Sequence, residues 1–430
     1  MALTGRTPLL VALGVVPVVL LPGWAALLGW LAFVVVLVAV DLAVAGSPVA
    51  LRLERSAPTS VRLGEPVDVE LVVTNAGTRR VHGLLRDAWQ PSAGATANRH
   101  PVDVPPGERR RLRTRLVPTR RGDRLVERVT VRSLGPLGLA GRQRSLPALG
   151  RVRVLPPFGS RRHLPSKLAK LREIDGRTAL RVRGQGTEFD SLRDYVVGDD
   201  VRSIDWRATA RRQQVVVRTW RPERDRRVLL LLDTSRTAAA RVVDAPRLDA
   251  AMDAALLLAA LATRAGDRVD LLAMDRRVRA RVEGATGSRL LPALVEAMAP
   301  LDADLVEADW TAIVATIRQR LTQRALVVLL TPLESAAIEE GLLPVLTRLT
   351  SHHQVVVASV SDPAVTAMAR GRADAYAVYG AAAAERAALE RAATTAELVR
   401  LGVDVVDADP AELPPRLADR YLALKAAGRL

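Results

Sequence analysis

Arg227-Val-Leu-Leu-Leu-Leu-Asp-Thr-Ser-Arg-Thr237 is the stretch on which the fold turns. Its opening run, Arg227–Leu232, is apolar without alternation after the first residue, the pattern of a strand covered on both faces in a parallel sheet. Asp233, Ser235 and Thr237 follow at alternate positions and present hard oxygens to one side of the next loop. Downstream the pattern continues as helix and strand in turn. Pro246–Ala265 reads as a helix, Arg268–Met274 as a strand, and Ser288–Met298 and Trp310–Arg320 as helices. Ala325–Leu330 is a buried strand, Leu342–Ser351 a helix, Gln354–Val360 a strand, Ala381–Leu401 a long Ala-rich helix and Gly402–Val406 a last strand. Such alternation predicts a doubly wound α/β sheet, whose ligands lie outside the carboxyl ends of its strands.

Immediately upstream, Gly184–Arg212 reads GQGTEFDSLRDYVVGDDVRSIDWRATARR. Glu188, Asp190, Asp194, Asp199, Asp200 and Asp205 are interleaved with Arg193, Arg202, Arg207, Arg211 and Arg212. Phe189, Tyr195 and Trp206 stand among them in a chain that is only 3% aromatic. Gly198 followed by two aspartates marks a turn, and Asp205 is a favoured cap for a short helix over Asp205–Arg212. Surface ion pairs of this kind contribute little each. A mixture of rings and paired charges is also the composition of interface cores, which predicts a mutually neutralised network that clamps two domains or presents a docking face.

Arg151–Ala179 is basic, broken by Pro156, Pro157 and Pro165, and reads as a connector carrying a short helix over 166–173. From Val49 to about Val154 the signal is short alternating strands, such as Val67–Asn75 and Leu125–Val131, with turns at Asn75-Ala-Gly77 and Pro105-Pro-Gly107. That spacing predicts an immunoglobulin-like β-sandwich. Ahead of it, Pro8–Ala45 carries no charge except Asp41. The run is too long for one span of about 20 residues, and Leu21-Pro22-Gly23 breaks it. The expectation is a transmembrane helical hairpin, Pro8–Leu21 and Trp24–Ala45, with Trp24 and Trp30 as interfacial anchors. Arg6 on one flank and Arg52, Arg55 and Arg62 on the other place both ends, and the body of the protein, on the cytoplasmic side of the cell membrane. Four segments result: 1–46 the hairpin, 47–157 the sandwich, 158–225 the connector and charged stretch, and 226–430 the α/β domain.

The 430 residues are 49% hydrophobic, enough for several cores, and contain no cysteine, which excludes disulfides, thiol nucleophiles and thiolate metal sites. The net charge of +17 is spread along the chain and is almost all arginine. No nucleic-acid-binding module accompanies it, so no nucleic acid is expected as a partner, and anionic lipid is the better one. No G-x-S-x-G elbow is present and no histidine lies in the charged stretch, so no catalytic set is assembled and the protein is expected not to be an enzyme. The alternative is a divalent-metal-dependent hydrolase using the acids of that stretch, against which stands the arginine beside each of them.

Asp233, Ser235 and Thr237 resemble the first loop of the von Willebrand factor A domain, whose D-x-S-x-S motif begins a metal-ion-dependent adhesion site. The resemblance implies Mg²⁺, with Thr286 in Gly284-Ala-Thr-Gly287 as the counterpart of the second loop. The third loop's aspartate is missing, for Ala325–Leu330 ends in Thr331-Pro332, and Glu334 is nearby but out of the motif position. One carboxylate and two hydroxyls make a degenerate Mg²⁺ site. The same residues also form a capped strand-to-helix turn if Asp233 accepts backbone N–H groups instead.

Taken together, Glu188-Phe-Asp190, Arg193-Asp-Tyr195, Gly198-Asp-Asp200, Arg202, Ile204-Asp-Trp206 and Ala208-Thr-Ala210-Arg, continued by Glu223 and LLLLDTS, resemble the hallmark of the domain of unknown function 58 family. The order hairpin, sandwich, hallmark, A-like sheet is similar throughout. The resemblance implies a membrane-tethered interaction scaffold working with MoxR-type AAA+ ATPases and other A-domain proteins in chaperone-like or cell-envelope roles. It places partner contacts or a domain seam at Glu188, Phe189, Asp190, Arg193, Asp194, Tyr195, Gly198, Asp199, Asp200, Arg202, Asp205, Trp206 and Arg207.

Overall fold

The computed structural model describes residues 1–181, 188–221 and 226–430, with the side chains of 176–191 and 219–225 left outside the description. The chain divides into two compact units, Met1–Leu155 and Pro156–Leu430.

The first unit begins with strand β1 (Ala2–Leu3), followed by helices α1 (Arg6–Ala12), α2 (Val15–Leu20) and α3 (Trp24–Val44). Among the described residues, one helix, running from Trp24, is long and apolar enough to cross a membrane. Most of its apolar side chains are not buried, with Trp24, Leu28, Phe33, Val35, Val36 and Val40 exposed, while Val34 is buried. Leu21-Pro22-Gly23 interrupts the helices where the sequence predicts, and the Trp30 indole N–H donates to the Leu10 carbonyl across 3.2 Å.

Asp41, the one charge in α3, is fully buried. Its carboxylate accepts the backbone N–H groups of Leu137, Leu139 and Ala140, each at 2.8 Å. Gly135 leaves room for this, since a Cβ there would come within 2.2 Å of Asp41 Oδ1. The start of the chain reaches the same turn. Residues Ala2 and Leu3 pair with Gly141 and Ala140, and the Thr4 and Thr7 hydroxyls donate to the carbonyls of Gly138 and Leu139 at 2.6 and 2.5 Å.

The strands that follow are β2 (Leu51–Ser56), β3 (Ser60–Arg62), β4 (Val67–Asn75), β5 (Val81–Asp87), β6 (Arg99–Val104), β7 (Arg109–Leu116), β8 (Gly122–Leu134) and β9 (Ala140–Leu155). They form two sheets, one ordered β2-β4-β7 and the other β1-β9-β8-β5-β6 with β3 beside β9. Alternation along β4 and β8 turns one side of each sheet inward. Leu51, Leu71 and Val73 of the first sheet meet Val81, Leu85, Val102, Val129 and Val131 of the second in a shared core, which is the β-sandwich expected. A buried ion pair lies within it. Arg55 holds Asp87 in a bidentate pair at 2.8 and 2.9 Å, the Trp89 indole N–H donates to the same carboxylate at 2.9 Å, and the guanidinium stacks 5.3 Å from the Trp89 ring centroid. Both Asp87 oxygens and both terminal guanidinium nitrogens are paired, which offsets the cost of burying the charges, while the Arg55 Nε has no hydrogen-bond partner.

The second unit holds α4 (Leu164–Arg181), β10 (Glu188–Asp194), α5 (Trp206–Arg212), β11 (Val216–Arg221), β12 (Arg227–Asp233), a small ribbon of β13 (Arg241–Val242) and β14 (Ala245–Pro246), α6 (Arg247–Arg264), β15 (Arg268–Met274), β16 (Val278–Val282), α7 (Leu290–Met298), α8 (Trp310–Arg320), β17 (Leu326–Leu330), α9 (Ser335–Ala337), α10 (Leu343–Thr350), β18 (Gln354–Val360), α11 (Pro363–Met368), α12 (Ala375–Arg400), β19 (Asp404–Ala408) and α13 (Leu413–Ala426). Its main sheet is ordered β16-β15-β12-β17-β18-β19. All neighbours are parallel except the edge strand β16. The apolar run of the Arg227–Thr237 stretch is the sheet's centre, with Leu230, Leu231 and Leu232 wholly buried.

Three features depart from the sequence reading. The helix placed over 166–173 runs over Leu164–Arg181 and belongs to this unit rather than to a bare connector. Leu171 is buried, Lys167 pairs with Asp419 at 2.7 Å, and Ser160 donates to Asp253 at 2.6 Å. Strand β16 has little apolar signal in the sequence, because only one of its five residues, Val278–Val282, is buried and two are arginines. Helix α13 was masked by its own start, Leu413-Pro-Pro, although proline at the first helical positions costs no hydrogen bond. Its Tyr421 hydroxyl donates to Asp267, which Lys425 also contacts at 3.2 Å, tying the last helix to the amino ends of the strands.

Candidate functional site

Two places gather the residues singled out by sequence. The first is the charged stretch. Strands β10 and β11 pair antiparallel into a separate two-stranded ribbon, from Glu188↔Arg221 to Asp194↔Val216. The residues between them make a turn at Val196–Asp199, a short 3-10 turn at Val201–Ser203 and helix α5. Gly198 takes a φ of 108°, which a side chain would strain. Asp205 is the N-cap, accepting the N–H groups of Arg207 and Ala208 at 3.1 and 3.0 Å, and it pairs with Arg218 at 2.8 Å. Arg193 grips Asp199 through two bonds of 2.7 and 2.6 Å, and Asp199 also accepts the Val196 N–H. Asp200 accepts the Arg202 N–H at 3.0 Å.

These contacts favour the ionised form of two of the acids, Asp199 and Asp205. The bond from Arg193, then that from the Val196 N–H, keeps the Asp199 carboxyl below the ordinary carboxylate range. The Ala208 N–H, then Arg218, does the same for Asp205. The partners differ from the pattern drawn from sequence. The bases used are Arg193 and Arg218, and no ion pair among the described side chains joins Arg202, Arg207, Arg211 or Arg212 to the acids of the stretch. Pairing across a ribbon brings Arg218, thirteen residues on, beside Asp205, a neighbour that linear spacing hides. The side chains of Glu188, Phe189 and Asp190, and all of Glu223, lie outside the described residues. Of the rest, Trp206 projects outward with 66% exposure, and Val196, Val197 and Val201 are 61, 94 and 60% exposed.

The second place is the carboxyl edge of the main sheet. Register alone sets three polar residues in a row there. Asp233 pairs with Met274, which Asp275 follows, and Leu232 pairs with Leu330, which Thr331 follows. Asp233 Oδ1 accepts the Ser235 N–H at 2.8 Å, Thr331 Oγ1 donates to Asp233 Oδ2 at 2.7 Å, and the Ser235 and Thr237 hydroxyls are 3.1 Å apart. Thr234 Oγ1 donates to Asp275 at 2.9 Å, and Arg279 bridges Asp275 and Asp304. Asp233 is buried, and burial pushes its carboxyl above the usual range despite the two donors. Burial acts on Asp275 too. There the N–H groups of Arg277 and Arg276, the Thr234 hydroxyl and the Arg279 guanidinium prevail and hold it low.

The loop is thus the capped turn of the second sequence reading. Thr286 is not part of it. Val282 pairs with Leu271 as β16 runs back antiparallel to β15, so the chain beyond Val282 heads for the amino ends of the strands, opposite to Asp233. Glu334 is committed to Arg247 at 2.5 Å. Asp275, Arg279 and Asp304 went unnoticed in the sequence, although Asp275 directly follows a parallel strand, as Asp233 does.

The donor set does not fit Mg²⁺. Both oxygens of Asp233 are occupied by protein donors, Asp275 faces a guanidinium, and the other oxygens are hydroxyls, poor replacements for the ion's water. Among the described residues no group of three or more His, Asp or Glu side chains is placed to hold a metal.

The ribbon and the main sheet coincide with a known sequence family. A family profile described as "Protein of unknown function DUF58" matches residues 191–414, just over half of the chain. The chain belongs to the DUF58 family. The DUF58 match begins in β10 and ends in the first turn of α13, so the family is defined by the ribbon together with the sheet. Uncharacterized proteins of Mycobacterium tuberculosis and Mycobacterium bovis are 26% identical over 189 residues, which make up 42% of this DUF58 chain and 57% of theirs. Among solved structures, the CARDB domain of a Pyrococcus furiosus protein is similar at 20% identity and a TM-score of 0.19, over 24% of this chain and 94% of that one. A β-glucosidase from Listeria innocua is similar at 17% identity and a TM-score of 0.17, over 24% of this chain and 16% of that one.

Proposed function

We propose that this DUF58 protein is a membrane-tethered scaffold that grips a protein partner through the ribbon of residues 188–221. The observation that carries the proposal is the exposure of Val196, Val197, Val201 and Trp206, each at least 60% exposed, on a frame in which Arg193 pairs with Asp199 and Arg218 with Asp205. An exposed tryptophan near exposed aliphatic residues and two ion pairs has the composition of an interface core. The family resemblance supplies the partner class, a MoxR-type AAA+ ATPase, together with other A-domain proteins and a chaperone-like or cell-envelope role.

The same reading takes the main sheet as von Willebrand factor A-like. The strand order and the Asp233-x-Ser235-x-Thr237 loop support it, with Thr331 where the motif has its last acid. It takes Pro8–Leu21 and Trp24–Ala45 as two spans of the cell membrane, the shorter leg accommodated by tilt or local thinning. Both ends then face the cytoplasm, in keeping with the tie of β1 and Asp41 to one turn of the sandwich.

Co-purification from membranes tests the partner. Wild-type protein is expected to recover an AAA+ ATPase, and Trp206→Ala with Val197→Ser to lose it while the melting temperature holds. Equal recovery by the double variant overturns the ribbon as the docking face.

A further inference from the structure

We infer that Arg79 and Arg142, with Arg6 beside them, form a binding site for the phosphate of anionic phospholipid headgroups at the foot of α3. The inference rests on the membrane reading above. The Arg142 Nε–H donates to the Leu42 carbonyl at 3.0 Å, and an Arg79 N–H donates to the Ala43 carbonyl. Arg6 lies over the turn that Asp41 holds, its Nη1 within 2.9 Å of where a Gly138 Cβ would stand. Two guanidinium groups from separate strands or loops therefore converge on the last turn of the apolar helix.

Capping the helix uses only one N–H from each. A guanidinium has five, and both side chains are exposed, so the remaining donors face outward. No acid answers them. Asp41 is buried against three amides, Asp103 is taken by Arg80, and no ion pair among the described side chains involves Arg6, Arg79 or Arg142. Their depth is set by the helix itself. The 21 residues from Trp24 to Val44 rise about 30 Å at 1.5 Å each, the thickness of the hydrocarbon core. With Trp24 at one interface, Leu42 and Ala43 reach the opposite headgroup layer. Leu3, Val44 and Leu137 are exposed around the same point, an apolar fringe suited to the acyl boundary. Forked donors match phosphate oxygens better than a point charge does.

The test uses the full-length chain in nanodiscs of phosphatidylcholine and phosphatidylglycerol, with retained lipid counted by native mass spectrometry. Wild type is expected to retain phosphatidylglycerol about thirtyfold over phosphatidylcholine, at roughly 1 kcal/mol for each of Arg79 and Arg142 near the surface. Arg79→Gln/Arg142→Gln should fall to near parity, and Arg79→Lys/Arg142→Lys should keep most of the preference. Arg115→Gln/Arg120→Gln, with Arg115 paired to Asp68 at the far end of β4, should leave it unchanged. Parity in wild type, or an undiminished preference in the Gln pair, overturns the site. So does displacement of the lipid by free inorganic phosphate at millimolar concentration, which would make it a general anion site. Absence of the chain from the membrane fraction overturns the anchoring reading as well, whereas membrane residence with parity overturns this inference alone.

Discussion

Thr331 Oγ1 donates to Asp233 Oδ2 across 2.7 Å, joining the ends of two adjacent parallel strands where the main sheet is buried. The hydroxyl stands where a metal or its water would have to reach the carboxylate. Thr331→Val keeps the shape and removes the donor, leaving a buried acceptor unsatisfied. It is expected to destabilise the second unit by about 1–3 kcal/mol, read as a lowered melting temperature. Titration calorimetry of Mg²⁺ into wild type should give no heat of binding. An unchanged melting temperature in the valine variant, or saturable Mg²⁺ heat in wild type, contradicts the arrangement.

Asp233 itself predicts a pH effect. Burial raises its folded pKa, so within the window the folded chain binds the proton more tightly than the unfolded one does. The associated stability is complete below the ordinary carboxylate range and is lost as pH rises toward the raised folded value. Asp233→Asn accepts the Ser235 N–H through its oxygen and offers its amide to Thr331, with no charge to bury. The variant should therefore melt above wild type at pH 8, and the gap should close toward pH 4. A gap that is constant with pH would mean that Asp233 titrates normally in the fold.

Asp41 is expected to be far less forgiving. Asp41→Ala strips the acceptor from three backbone N–H groups, two of them in buried bonds, at about 1–3 kcal/mol for each buried group left unsatisfied. Hydrogen exchange of the Leu137, Leu139 and Ala140 amides reports it directly. Gly135→Ala should give the same loss of protection, because its methyl group occupies the space of the carboxylate. Protection equal to wild type in both variants would show that the amides have another acceptor.

The ribbon separates frame from contact surface. Asp205→Ala removes the cap of α5 and the partner of Arg218, so exchange of the Arg207 and Ala208 amides should rise. Trp206→Ala, at an exposed position, should leave those amides as protected as in wild type. The lowered pKa of Asp205 means that its contribution is present above the unfolded carboxylate value and is lost only as pH falls through the lowered folded one. Loosening of α5 at neutral pH in wild type would refute this.

Much of the architecture was legible because apolar runs report burial directly. Leu229–Leu232 and Val355–Val357 have no polar face, so they announced central strands, and alternation in Val67–Asn75 announced a sheet with one side inward. What escaped was set by partners distant in sequence. Val278–Val282 has little apolar signal and becomes a strand only because β15 lies beside it. The ion pair between Asp205 and Arg218 depends on a ribbon register that no local spacing encodes. Thr286 was placed beside Asp233 by motif order, and the antiparallel return of one short strand sends it to the other end of the sheet. In the sequence Thr331 stands only where the motif lacks its acid, while its use as a donor to Asp233 follows from the register of β12 and β17.

The clasp around Asp41 has a mechanical consequence. Near its end α3 is held to one turn of the sandwich by three backbone N–H groups that donate to Asp41, and strand β1 pairs with β9 at the same turn. With α3 spanning a bilayer as proposed, a change of thickness alters its inclination, and a joint of this kind passes that inclination to the sandwich as a rotation. The lipid phase then sets the angle at which the sandwich stands to the membrane.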